Sequence, residues 1–260
     1  MTSLHSHKIR DTDEAYYFSN FITPEEEALL IRKINGSPLP KWKQLANRRL
    51  QIWGGSVTAQ GLLIPEHIPP FVNQYPDIVG RIRSTGAFGS SPHGAPNHVI
   101  MNEYHPGQGI MPHEDGPAYH PVVATLSLGS HALFHYYRYK FREDCPEGEE
   151  EDSSSSGRGR AIDPAPILSV LLEPRSLVIT RSSLYTSHLH GIEDVEEDIF
   201  SLPGGDSFGR SLRIANADLL TGTTERDVVM GGGVLKRETR YSLTCRDVAK
   251  VATKSPFLKR

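Results

Sequence analysis

Apolar positions change their rhythm near residue 97. Upstream, Leu29, Leu30, Ile31 and Ile34 form a stripe at helical spacing within Ser19 to Gly36. Thr23 suits the N-cap, Pro24 the first helical position, and Glu26 completes a capping box, while Asn35-Gly36 is a stop. A second helical pattern covers 69 to 83, PPFVNQYPDIVGRIR, interrupted by Pro76. From about 97 the pattern becomes that of strands. NHVIMNEYH alternates, PVVATLSLGS is a Val/Thr/Leu run, HALFHYYRYKF is rich in aromatics, and RETRYSLTCRDV alternates strictly. ILSVLLEPRSLVITR contains two short runs broken at Glu173-Pro174. Between these strands, 142–166 and 193–234 read as insertions, the first acidic and serine-rich, the second rich in glycine and charge.

Composition sharpens this picture in three ways. The 260 residues suit one large domain, and 19 Pro with 23 Gly favour many short elements joined by turns. Only Cys145 and Cys245 are present, one of them in an acidic tract, which points to a reducing compartment and no disulfide framework. No run approaches the roughly 18 apolar residues of a membrane span, so the expectation is a protein of nucleus and cytoplasm with no membrane partner. Net charge is −3, but EDCPEGEEED (143–152) holds seven acids and EDVEED (193–198) five more. If both runs are solvated loops, the remainder carries +9 and is clearly basic.

The candidate chemistry starts at MPHED. On a strand, residues two apart share a side, so His113 and Asp115 can present an imidazole and a carboxylate to one point. A third ligand is available 77 residues downstream in YTSHLHGI, from His190 or His188. Two histidines and a carboxylate with open positions form the facial triad of non-haem Fe(II) oxygenases. With 12 histidines in the chain such a set also arises by chance, so it needs independent support. RYSLTCR supplies it: on a strand, Arg240, Ser242, Thr244 and Arg246 share a face opposite Tyr241, Leu243 and Cys245. A polar face with two arginines needs solvent or a buried anion, and a dicarboxylate fits guanidinium geometry. Asn102 and Tyr104 share a face just upstream of the H-x-D pair and can donate to the same ligand.

In this order, N-x-Y-x-x-G, H-x-D, a distal His-Gly and R-x5-R resemble the AlkB family of Fe(II)- and 2-oxoglutarate-dependent dioxygenases. NHVIMNEYHPGQGIMPHEDGP, TLSLGS, LEPRSLVI and LHGI are similar to the eukaryotic AlkB homologue six subfamily, and the likeness extends upstream through KWKQLANRRLQIWGG. The resemblance implies an α+β, mainly β fold, a double-stranded β-helix (jelly-roll) core over 97–248 with N-terminal helices packed outside. Residues 1–96 would be a helical extension and substrate lid, and 249–260 a tail. His113, Asp115 and His190 would hold iron, with His190 preferred to His188 because Gly191 follows it. Asn102, Tyr104, Arg240, Arg246 and Ser242 would bind 2-oxoglutarate. Here 50 residues separate His190 from Arg240, a longer spacing than in compact members of the family.

The implied activity is oxidative: O2 and 2-oxoglutarate are consumed, and an N-methyl group leaves a base as formaldehyde. Two segments could meet nucleic acid. KWKQLANRRLQIWGG interleaves Lys41, Lys43, Arg48 and Arg49 with Trp42 and Trp53, and HALFHYYRYKF sets Tyr136, Tyr137 and Tyr139 around Arg138 and Lys140. The expected substrate is methylated RNA or single-stranded nucleic acid, reached by flipping or on a single strand. The alternatives are an oxygenase of a protein or small molecule, and a nucleic-acid-binding module with little catalysis.

Overall fold

The structure, a computed structural model, describes residues 4–140, 160–201 and 213–253. The first half runs β1 (Ala15–Phe18), α1 (Pro24–Asn35), β2 (Lys43–Leu45), β3 (Arg48–Trp53), β4 (Gly55–Val57), β5 (Leu62–Pro65), α2 (Pro70–Asn73), α3 (Ile78–Ser84), β6 (His98–Tyr104) and β7 (Ile110–His113). The second runs β8 (Tyr119–Leu128), β9 (Ala132–Tyr137), β10 (Leu168–Leu172), β11 (Leu177–Arg181), α4 (Ser182–Thr186), β12 (Leu189–Ile192), β13 (Glu197–Phe200), α5 (Thr223–Gly231), β14 (Gly233–Lys236), β15 (Arg240–Val248) and β16 (Lys250–Val251).

A seven-stranded sheet in the order β1-β11-β8-β15-β6-β3-β2 faces a four-stranded sheet, β10-β9-β12-β7. Together they form the double-stranded β-helix. Alternation along the large sheet decides what lies on each side. Val99, Met101, Leu126, Leu243 and Cys245 join a core with Leu30 and Ile34 of α1 and Ile78 and Ile82 of α3. The intervening residues face the small sheet across a cavity. Helices therefore cover the outer face of the large sheet, leaving its inner face for chemistry.

The helix starts follow the expected chemistry. Thr23 caps α1, its hydroxyl accepting from Glu26 N at 3.3 Å while the Glu26 carboxylate accepts from Thr23 N at 2.9 Å. The pattern at 69–83 becomes two helices, α2 and α3, because Pro76 has no N–H for a continuous helix; Asp77 recaps the chain by accepting from Gly80 N.

Several expectations need correction. Residues 1–96 are not a helical extension alone, because β1, β2 and β3 are built into the large sheet. Nor is 249 onward simply a tail, since β16 pairs with β5. The 193–234 stretch holds β13, α5 and the start of β14, which pairs antiparallel with β13. Asp198, counted with the solvated acids, is 4% exposed. It accepts from Arg237 Nε and Nη2 at 2.8 and 2.7 Å and bonds His131 Nε2 at 3.1 Å, so its charge is internal to the fold. The acidic run 143–152 and Cys145 lie outside the described residues, and Cys245 is a buried free thiol. Among the described residues, no helix is long and apolar enough to cross a membrane.

Candidate active site

Strand pairing brings the distant histidine to the H-x-D pair. In the β12–β7 ladder His190 lies directly opposite His113. That register needs glycine next: a Cβ on residue 191 would sit 2.9 Å from Ile110 O and 3.0 Å from Pro112 N. The two imidazole centroids are 4.4 Å apart, and one potential ligand atom each from His113, Asp115 and His190 lie within 4.8 Å of one another. His188 turns away instead; its Nδ1 bonds Ser183 O, and it lines a separate cavity with Asp11 and Glu14.

One detail differs from the expected strand geometry. β7 ends at His113, so Asp115 lies beyond the strand and alternation does not aim it. Arg246 does, donating from Nη2 to Asp115 Oδ1. Oδ2 of the same carboxylate is buried without a hydrogen-bond partner among the described residues. A buried orphan oxygen is costly unless something else satisfies it, and a cation would.

The protonation states suit metal binding. Burial lowers the pKa of His113 and drives that of His190 down to about 4, so both rings are neutral at pH 7. Burial pushes the Asp115 carboxyl up, but Arg246 and then His190 outweigh it and hold the group below its ordinary value. His113 bonds Met111 O through Nδ1 at 2.9 Å, so that nitrogen carries the proton and Nε2 keeps its lone pair. Two neutral imidazoles and a carboxylate match a first-row divalent metal such as iron.

These groups open into a cavity of about 250 Å³. Its large-sheet wall includes Arg240, Ser242, Thr244 and Arg246 of β15 and Asn102 and Tyr104 of β6, the faces the alternation predicts. Pairing sets Tyr104 opposite Arg240 and Asn102 opposite Ser242. Arg240 is 4% exposed and donates through Nη2 to Ser127 Oγ at 2.8 Å, but no described carboxylate bonds it. Its Nε, with Nε and Nη1 of Arg246, is buried without a partner among the described residues. Burial lowers the Arg240 pKa to about 10. A wall with this many unanswered donors is matched to an anion with several oxygens.

Sequence reasoning overlooked part of the lining. Phe134 stacks on His190 with centroids 5.3 Å apart, and the Tyr119 ring lies 5.0 Å from the Arg246 guanidinium carbon. Arg48, expected to seek phosphate, also lines the cavity. These contacts depend on strand register; Phe134 and Tyr136, two apart on β9, share a face. Other expected contacts are internal. Trp53, Tyr136 and Tyr137 are buried, and the Tyr136 hydroxyl bonds Thr180 Oγ1 at 2.5 Å across the two sheets. Trp42 is half-buried beneath Arg49, which pairs with Glu103. Tyr139 keeps a partly open ring and donates to Glu114 Oε1 at 2.8 Å.

The sequence pattern of the 2OG-Fe(II) oxygenase superfamily matches residues 14–246. A zebrafish (Danio rerio) protein named "Probable RNA/DNA demethylase ALKBH6" is 37% identical over 245 residues, which are 94% of this chain and 89% of that one. "Uncharacterized protein L905" of Acanthamoeba polyphaga mimivirus is 25% identical over 236 residues, 90% of this chain and 85% of that one. Among solved structures, "The structure of OsALKBH1" matches with TM-score 0.50 at 12% identity, covering 91% of this chain and 99% of that chain. At that identity the likeness concerns the fold alone.

Proposed function

Because this chain belongs to the 2OG-Fe(II) oxygenase superfamily, we propose that it removes N-methyl groups oxidatively from bases in RNA or single-stranded nucleic acid. It is an oxygenase working with Fe(II), 2-oxoglutarate and O2. The observation that carries the site assignment is the pairing of two orphan sets in one cavity: a free carboxylate oxygen on Asp115 and unanswered N–H groups on Arg240 and Arg246. The first calls for a cation and the second for an anion. Iron on His113, Asp115 and His190, with a dicarboxylate against the β15 arginines, would satisfy both.

When bound, iron and 2-oxoglutarate supply oxidation of a C–H bond by O2, with succinate and carbon dioxide as coproducts. The chain's own groups prepare that step. Met111 O holds the His113 ring through Nδ1, and Arg246 keeps the Asp115 carboxylate ionised and aimed. Arg240, anchored on Ser127, and Asn102 and Tyr104 would orient the cosubstrate. Oxidation of an N-methyl carbon leaves a hydroxymethyl base, which releases formaldehyde.

Support for a nucleic-acid substrate comes from the named activity of the zebrafish relative and from the sheet beyond the cavity. Opposite positions in the β2–β3 ladder share a face, so Lys43 and Leu45 continue the side occupied by Leu50 and Arg48. Ile52, 47% exposed, lies on the same face further along β3. The result is a basic and apolar ledge contiguous with the cavity. The burial of Trp53, Tyr136 and Tyr137 removes stacking surface and favours the second reading, a protein or small-molecule substrate. Incubation with methylated RNA, Fe(II) and 2-oxoglutarate tests the choice by following formaldehyde and succinate, with His113→Ala as control. RNA-stimulated turnover with salt-sensitive affinity is expected; RNA affinity that ignores salt would argue for the second reading.

A further inference from the structure

The cavity holds a third arginine that N-x-Y, H-x-D and R-x5-R do not include. Arg48, the first residue of β3, donates from Nε to Asn102 Oδ1 at 3.1 Å. Strand pairing sets this contact: Leu50 lies opposite Asn102 in the β3–β6 ladder, and Arg48 follows on the same face. The chemistry of the two partners then leaves no choice of orientation. A guanidinium only donates and an amide oxygen only accepts, so Oδ1 must face Arg48. Nδ2 must point elsewhere. No described oxygen accepts from it, and Asn102 lines the cavity, opposite Ser242 in the β6–β15 ladder.

We propose that Arg48 is a positioning residue for the cosubstrate: it locks the Asn102 amide so that Nδ2, the donating end, faces the 2-oxoglutarate carboxylate. This rests on the cosubstrate reading of the cavity. Without Arg48 nothing holds Oδ1 in place, and the turned amide presents an oxygen instead of a donor to the anion. Arg48 acts through Asn102 and does not itself contact the ligand.

Calorimetric titration of 2-oxoglutarate into the full chain loaded with Mn(II) measures this without turnover. Arg48→Met, which keeps length but no donor, should weaken binding about tenfold, the scale of one hydrogen bond to a charged group. Arg48→Lys keeps a donor and should stay within about threefold of the parent. Asn102→Ala should weaken binding at least as much as Arg48→Met, and in the Asn102→Ala background Arg48→Met should change little, because nothing remains to orient. Equal losses from Arg48→Met in both backgrounds would overturn the proposal, showing that Arg48 acts directly on the anion. So would unchanged binding in a folded Arg48→Met protein. Failure of the parent itself to bind 2-oxoglutarate would instead remove the cosubstrate reading, and this proposal with it.

Discussion

Replacing Arg240 with methionine removes a cation that the cavity holds at a loss. Burial is the main reason its pKa falls from the ordinary guanidinium range to about 10, with Arg237 pushing the same way and Tyr104 opposing. At 1.36 kcal/mol per pKa unit, that disfavours the charged form in the folded protein by about 3 kcal/mol. Methionine fills similar volume and needs no solvation. Against this gain stands the bond from Arg240 to Ser127 Oγ, worth about 1 kcal/mol, because Ser127 is fully buried and loses its donor. The balance is a protein stabilised by about 2 kcal/mol in buffer, or a Tm raised by about 4–8 °C for a domain of this size.

The same change should abolish the response to ligand. With Mn(II) and 2-oxoglutarate at a hundred times its Kd, the parent gains about 2.7 kcal/mol by mass action, whereas Arg240→Met should gain little beyond Mn(II) alone. Thermal unfolding by circular dichroism, with and without 2-oxoglutarate, reads both halves. A variant less stable than the parent in plain buffer would refute the reasoning, because the guanidinium's contacts would then outweigh its burial. The general point is that an arginine kept for an anion works against stability until the anion arrives.

Other perturbations have equally definite signs. Asp198→Ala strands Arg237, 7% exposed, without its carboxylate; it should destabilise by about 3–5 kcal/mol and speed hydrogen exchange first in the paired strands β13 and β14. Burial pushes the Asp198 carboxyl up, yet Arg237 and His131 together hold it below the ordinary 3.8. Its contribution is therefore complete above that value and fades as pH falls towards the lowered one, so Asp198→Asn should flatten the acid limb of an unfolding-versus-pH curve. Thr23→Ala removes the hydroxyl that accepts from Glu26 N and should lower stability by about 1 kcal/mol in a urea titration. Lys43→Gln, on the ledge, should weaken RNA binding across sequences and reduce the salt slope by about 0.7, the share of one phosphate contact on a single strand; an unchanged slope would place RNA elsewhere.

What could be read in advance tracks whether a feature is periodic or local. β15 was legible because period two puts Arg240, Ser242, Thr244 and Arg246 on one face and Leu243 and Cys245 on the other, and the cavity and the core divide along that line. The α1 start was legible because a capping box is a contact between residues three apart. Features set by register were not. Nothing local says that His190 pairs with His113, and the order of motifs suggested it only through a family pattern. Which aromatics are buried, here Trp53, Tyr136 and Tyr137, was not legible for the same reason: an aromatic beside a basic residue looks like a stacking surface until the facing layer is known.

Asp115 reaches the two histidines by a cause other than the one its spacing suggested. Two-residue spacing suggested that a strand would aim both side chains, yet the strand stops at His113 and Arg246 holds the carboxylate from the far sheet. The three potential ligand atoms still lie within 4.8 Å of one another. Geometry at the site therefore depends on β15 as much as on the H-x-D segment. Shifting β15 by one residue would turn its arginines towards α1 and α3 and release Asp115 at the same time. The two halves of the proposed site, the ligand set for a cation and the arginine wall for an anion, are coupled through the register of a single strand.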